Sequence, residues 1–346
     1  MKKSILIICL LQIALLCKGQ NCNCTENFSF LVTTIENDYS GFNDKVKESN
    51  KVDYNEWTKS FRLKAKETNS TFRCTMLLNK WLEFFNDNHL SIEVTKNIYW
   101  TFKKIDSTTL LLRIPSFSWQ SKEIIDSLVK TNLKLITSTP ILIIDVRGNG
   151  GGNDYSFQSL LPLIFTKPYE SKGVAWRSSE GNIKYFEDAV KKGEIRKGGE
   201  EETKILIEEM KKHPDSFVTV HKPETVIEDT SYKMPIRVGV IINDYCASSC
   251  EQFILSAKNS SKTTVFGTNT MGVLDYSNSI PVPMPSKNVQ LRYPMTRSNR
   301  LPEFPIDNIG IAPDVRITLP DNLDIKGQVD EWVIFVKEYL TKELKK

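Results

Sequence analysis

Histidine is scarce in this chain, with three among 346 residues. That limits any chemistry needing a proton acceptor near neutral pH, since imidazole is the side chain that ordinarily titrates there. No cysteine–histidine spacing makes a zinc site: Cys22 and Cys24 stand too close together, and no histidine follows at ligand distance. The net charge of +4 is spread without a basic block, so the electrostatic footprint of a nucleic-acid binder is missing. Internal repeats and low-complexity tracts are absent. The longest apolar run, Ile5 to Cys17, is short for a membrane span.

That run belongs to "MKKSILIICLLQIALLCKGQ", where two lysines precede the apolar stretch and small or polar residues follow it. The layout predicts a secretory signal over residues 1–19, cut after Gly19. Export to the periplasm, the cell surface or the medium follows, with no stable membrane insertion. Acylation at Cys17 is disfavoured because Leu16 is bulky where such sites need a small residue. The processed chain keeps Cys22, Cys24, Cys74, Cys246 and Cys250, an odd set that cannot all pair internally. Cys246 and Cys250 are either bridged or small buried residues packed around a turn.

With 40% hydrophobic and 25% charged residues, the composition is that of a globular protein. Residues 20–97 read as a small helical domain, because "FSFLVTTIENDY" and "RCTMLLNKWLEFFNDN" space their apolar residues by three and four. From residue 98 to 346 the texture changes. "TTLLLRIP", "PILIIDVRG", "IRVGVIIN" and "TTVFG" are short β-branched runs suited to strands buried on both faces. Helical patterns at "SKEIIDSLVKTNLKLI", "SFQSLLPLIF" and "CEQFILSAK" fall between them, which predicts an α/β core. Residues 167–233 interrupt the rhythm with a charged stretch, read as a solvated helical insertion, with a lid over a cleft as the alternative. An amphipathic helix closes the chain at "VDEWVIFVKEYLTKEL".

Two strand–turn–helix junctions carry the chemistry. "IIDVRGNGGGNDYSF" ends a buried strand in consecutive glycines, which bring bare N–H groups close to a ligand. The glycines fit neither the G-x-G-x-x-G fingerprint nor a Gly-Lys-Ser/Thr phosphate loop. An oxyanion-binding turn and a plain tight turn remain. "VIINDYCASSCEQFIL" puts Ser248 and Ser249 where a helix begins, either as caps or as a nucleophile with its anion site. Acyl-bond hydrolysis needs both features side by side, which favours the second reading.

"DVRGNGGG" and "ASSCEQF" together resemble the two core motifs of the C-terminal processing peptidases, the tail-specific and tricorn-type serine proteases. The resemblance spans roughly residues 75 to 318. It implies a crotonase-like (ClpP/crotonase) α/β protease core acting on a peptide or protein substrate, without metal or organic cofactor. It places the nucleophile at Ser248 and the oxyanion donors at the N–H groups of Ser249 and Gly151. Where the tail-specific branch has a catalytic lysine, this chain has Val273. The tricorn-like branch uses a histidine ahead of the glycine loop and a later acid. Their counterparts are His89 in "FFNDNHLSI" and Asp307 in "FPIDNIGIAPD". Asn88 stands where that branch has serine, and Asp307 where it has glutamate; both are read as supports for the imidazole. His213 and His221 lie in the charged insertion and are read as solvent-exposed. Fewer than sixty residues separate His89 from the glycine loop, too few for a PDZ domain.

The expected protein is thus an exported serine endopeptidase, with Ser248 attacking and His89 accepting its proton. The alternative is a catalytically degenerate homologue that binds peptides, suggested by Val273, Asn88 and Asp307. A crotonase-type enzyme acting on coenzyme A thioesters shares the fold but gives no reason for pairing Ser248 with His89. Oligomeric state is not legible in the sequence.

Overall fold

The computed structural model describes residues 23–39, 41–68, 71–87, 90–92, 97–195, 198–220, 224–283, 290–319, 321, 324–325 and 329–345. The signal segment, Asn88, His89 and His221 lie outside the described residues. The chain divides into two compact units, Met1–Tyr99 with Ile317–Trp332, and Trp100–Arg316 with Val333–Lys346. Ile317–Trp332, read from sequence as part of the core, therefore groups with the first unit.

The first unit is built on helices α1 (Cys24–Asp38), α2 (Lys51–Glu67) and α3 (Thr71–Leu82). Asn23 caps α1, its Oδ1 accepting the Glu26 N–H at 3.1 Å. Trp81 is fully buried, stacked edge-on to Phe28, and its indole N–H donates to Thr58 Oγ1 at 3.1 Å. Cys24 and Cys74 form a disulfide across 50 residues, joining α1 to α3. Neither the 3.6-residue periodicity nor the cysteine count singles out that pair. Closing a loop of this length restricts the unfolded chain, so Cys74→Ser is expected to cost roughly 3–4 kcal/mol. The midpoint of denaturant unfolding, with and without reductant, checks it.

In the second unit the apolar runs become a six-stranded sheet. Its strands are β1 (Thr101–Lys104), β2 (Thr109–Arg113), β3 (Ile141–Asp145), β4 (Arg237–Ile242), β5 (Thr263–Gly267) and β6 (Val315–Arg316). They lie side by side in chain order; β2 to β6 are parallel and β1 is an antiparallel edge. The strands read as continuous apolar runs because both faces are covered. Leu110, Leu112, Leu142, Ile144, Val238, Val240 and Val265 join one core cluster with Ile125 and Val129 of helix α4 (Ser121–Ile136). On the other face, Gly239 leaves room for Val336 and Leu340 of the closing helix Glu331–Glu343. The helix expected across "SFQSLLPLIF" is instead a 3-10 stretch, Asp154–Leu160, and the single turn Leu161–Ile164. Pro162 has no N–H to return to Gln158, so an α-helical ladder cannot run through it.

The charged insertion does more than expose helices. Helices α5 (Glu180–Lys192) and α6 (Glu200–Lys212) pack Phe186, Leu206, Ile207 and Met210 against Ile280 and Met295. Those last two come from the hairpin Tyr276–Pro283 and Gln290–Ser298, which is extended by Val174–Arg177 and Phe217–Val218 into a four-stranded antiparallel sheet. His213 follows α6 and is exposed, as read.

A buried charge cluster anchors the end of β3. Asp145 accepts from Arg113 Nε at 2.8 Å and Arg147 Nη2 at 2.7 Å, all three side chains being fully buried. Burial pushes the Asp145 carboxyl up, but Arg147 and Arg113 outweigh it and hold it below the usual carboxylate range. A lowered folded value gives stabilisation that is complete above about pH 4, where the unfolded carboxylate is ionised. It is lost as pH falls through the folded value. Asp145→Asn removes the carboxylate shared by two buried guanidiniums and is expected to destabilise the protein by about 3–5 kcal/mol, read from urea unfolding at neutral pH.

Candidate active site

Strands β3, β4 and β5 are adjacent and parallel, so the turns leaving their carboxyl ends come out together. Hydrogen bonds lace those turns to one another. Ala247 N–H donates to Asn149 O at 3.1 Å, Met271 N–H to Cys246 O at 2.9 Å, and Gly148 N–H to Asn243 Oδ1 at 3.0 Å. The glycine loop thereby meets the serine turn. A Cβ on Gly151 (φ +88°) would lie 2.4 Å from Ala247 O and 2.9 Å from both Ser248 Cβ and Ser249 N. Only a residue without a side chain permits that approach.

Ser248 stands between β4 and helix α7 (Ser249–Lys258), with φ 55° and ψ −122°. For a non-glycine residue this backbone costs about 1–3 kcal/mol and persists only where the surroundings impose it. A serine on a sharp strand-to-helix turn has its hydroxyl pushed out of the sheet, as in a nucleophile elbow. Ser248 is half-buried and lines a cleft of about 940 Å³ with Gly152, Asp154, Tyr155, Val273 and Tyr276. Tyr169–Val174, at the start of the charged insertion, also line it.

The main-chain donors are arranged differently from expectation. Ser249 N–H occupies the first position of α7, where no intrahelical acceptor exists. Gly151 N–H, expected to point at an oxyanion, donates instead to Asn149 Oδ1 at 2.9 Å. Asn149 is fully buried, and its amide also donates to Ile114 O at 3.1 Å. Gly152 is the loop glycine that faces the cleft, and its N–H has no acceptor among the described residues. Its position is equally strict, since a Cβ there (φ +142°) would lie 2.4 Å from Phe117 O.

The two cysteines beside the serine turn are packing residues. Cys246 and Cys250 are free and buried, not bridged. Burial, then the neighbouring Cys246, pushes the Cys250 thiol far up, away from the reactive thiolate. Asp154 rises through desolvation, with the Ser249 hydroxyl pulling the other way. The residue is open to solvent, so that shift carries little energy. Asp307 Oδ1 accepts the N–H groups of Leu274 and Asp275, each at 2.7 Å, and so braces the loop after Val273. Asp314 accepts Val265 N–H at 2.9 Å and pairs with Lys258, so it shapes the local backbone.

Sequence reading assigned no role to Glu251, Asn149 or Asn243. For Glu251 a signal was present: a glutamate three residues after Ser248 is capping-box spacing. The carboxylate is fully buried and accepts Ser248 N–H at 3.0 Å.

Residues 108–317 match the family model of peptidase family S41. A crystal structure of a CPAF mutant is similar with a TM-score of 0.53 at 17% identity, over 75% of this chain and 57% of that one. Mature CPAF complexed with lactacystin gives 0.47 at 17% identity, over 73% and 56%. A putative peptidase from Parabacteroides merdae gives 0.43 at 17% identity, over 92% and 97%. The chain thus spans little more than half the length of these CPAF chains. No curated protein matches the sequence. The family match takes in both turns and more than half of the chain. The chain belongs to peptidase family S41, the family of the C-terminal processing peptidases, and carries an α/β protease core.

Proposed function

We propose that the protein is an exported serine endopeptidase of the tricorn-like branch, with Ser248 as nucleophile and His89 as general base. The observation that carries this reading is the Ser248 backbone at φ 55°, on a cleft wall beside the glycine turn. Ser248 Oγ attacks a peptide carbonyl as the His89 imidazole takes its proton. The oxyanion rests on Ser249 N–H and a donor from the glycine turn. We assign that second donor to Gly152, because Gly151 N–H is held by Asn149. The imidazolium then protonates the leaving amine, and water releases the acyl group by the same route reversed. His89 is put forward from the sequence, as are Asn88 and Asp307 as its supports. Asp307 serves through the loop it braces or through its other oxygen, since Oδ1 is engaged. The Cys24–Cys74 bridge supports an oxidising compartment and hence export.

A second reading, a peptide-binding homologue without turnover, is favoured by Val273 in place of lysine and by the engaged Asp307 oxygen. A fluorophosphonate probe separates the two. Covalent adduct on the proteolytic fragment containing Ser248, together with cleavage of an unfolded protein substrate, is expected. Absence of adduct on a folded, disulfide-intact preparation defeats the enzyme reading.

A further inference from the structure

We infer that Glu251 is a positioning residue for the Ser248 nucleophile, clamping the serine turn to the Thr270–Val273 loop. The inference rests on the Ser248 reading and adds to it the group that holds the serine in place. The Glu251 carboxylate receives four donors. Oε2 accepts the N–H of Ser248 and of Val273, both at 3.0 Å. Oε1 accepts Gly272 N–H at 2.9 Å and the Thr270 hydroxyl at 2.5 Å. The side chain is fully buried and, among the described residues, no cation pairs with it.

A buried carboxylate without a cation is costly, and here only hydrogen bonds and the first turn of α7 compensate it. The residue type is specified by those donors. A glutamine of equal size would turn its NH₂ toward two of them, leaving donors facing a donor. An aspartate would fall a methylene short. Both ends of the clamp matter to the site. Ser248 N–H belongs to the residue with the left-handed φ, a conformation that relaxes unless something holds its peptide. Val273 is 40% exposed and lines the cleft with Ser248, so the clamp joins two neighbouring parts of the cleft lining. The far side of the loop is pinned in turn, Thr270 Oγ1 accepting Ile311 N–H at 2.7 Å and Met271 N–H reaching Cys246 O. Loss of the carboxylate therefore misaims Oγ while leaving the cleft surface in place.

Probe kinetics distinguish positioning from mere stability, because the concentration dependence of fluorophosphonate labelling separates the inactivation rate constant from the reversible binding constant. Glu251→Gln, assayed well below its melting temperature, is expected to lose about 100-fold in the rate constant, the scale of an ångström-sized misplacement. The binding constant is expected to stay within about threefold, the signature of an interaction that acts on the reacting geometry. Amide hydrogen exchange at Ser248, Gly272 and Val273 is expected to quicken without a general rise. If Glu251→Gln does not fold, Thr270→Val replaces it: a loss of roughly tenfold in the rate constant, restored by Thr270→Ser, is expected, because the valine removes both the charge-assisted bond to Glu251 and the acceptor for Ile311 N–H, and serine returns both. A wild-type rate constant in folded Glu251→Gln, or in Thr270→Val when that variant stands in, overturns the positioning role and leaves Ser248 as nucleophile. Wild-type protein that takes no label overturns the Ser248 reading and the positioning role together.

Discussion

Ser248→Ala is expected to abolish fluorophosphonate labelling and to lower peptide hydrolysis by on the order of 10⁴-fold or more, the scale seen when a serine nucleophile is removed. Folding stability is expected to fall by only about 1 kcal/mol, the scale of losing a serine N-cap, because the backbone of residue 248 keeps its N–H bond to Glu251. His89→Ala is expected to fall by a comparable factor and to lose the rise in rate that accompanies imidazole deprotonation. Nucleophile and base act as a unit, so the double variant is expected to be no slower than Ser248→Ala alone. Additive losses, or a His89→Ala enzyme with an unchanged pH–rate profile, would assign the proton to another group. Steady-state hydrolysis of an unstructured protein from pH 5 to 9 reads all of these.

The second large effect is expected at Gly151. An alanine methyl there would stand 2.4 Å from Ala247 O and 2.9 Å from Ser248 Cβ and Ser249 N, contacts that force the two turns apart. Overpacking of this kind costs about 1–3 kcal/mol. The left-handed φ of +88° adds about 1–2 kcal/mol for a residue with a side chain. Displacing Ser248 and the Ser249 donor by as little as an ångström is expected to slow labelling about 100-fold. Gly150→Ala is the control one residue away. A Cβ at that position meets nothing within 4 Å, so melting temperature and labelling rate are expected to stay near wild type. Equal behaviour of the two variants would mean that close contact between the turns does not matter to the site.

Much of this was legible in the amino-acid order, for identifiable reasons. The runs "TLLLR", "ILIID" and "RVGVII" become β2, β3 and β4 because a sheet covered on both faces requires apolar residues at every position. The serine turn was readable because it sits between such a run and a helical pattern. Less was readable where partners are distant. Val174–Arg177 pairs with Gln290–Ser298 more than a hundred residues on, so a stretch that looked like a solvated insertion shares a sheet with a late hairpin. Asn149 looked like one more polar loop residue, yet its side chain takes the N–H of Gly151, while Gly152 lines the cleft.

The sequence by itself determined the α/β alternation, the peptidase family and the two strand–turn–helix junctions to which the chemistry is assigned, because periodicity and motif spacing act over a few neighbouring residues. Only the tertiary structure decided that Gly151 lies against Ser248, that Ser248 holds a left-handed backbone, and that one buried carboxylate ties the serine turn to the Thr270–Val273 loop. Those outcomes depend on which strands lie side by side and on where buried donors find acceptors. Both are settled by packing the whole core at once.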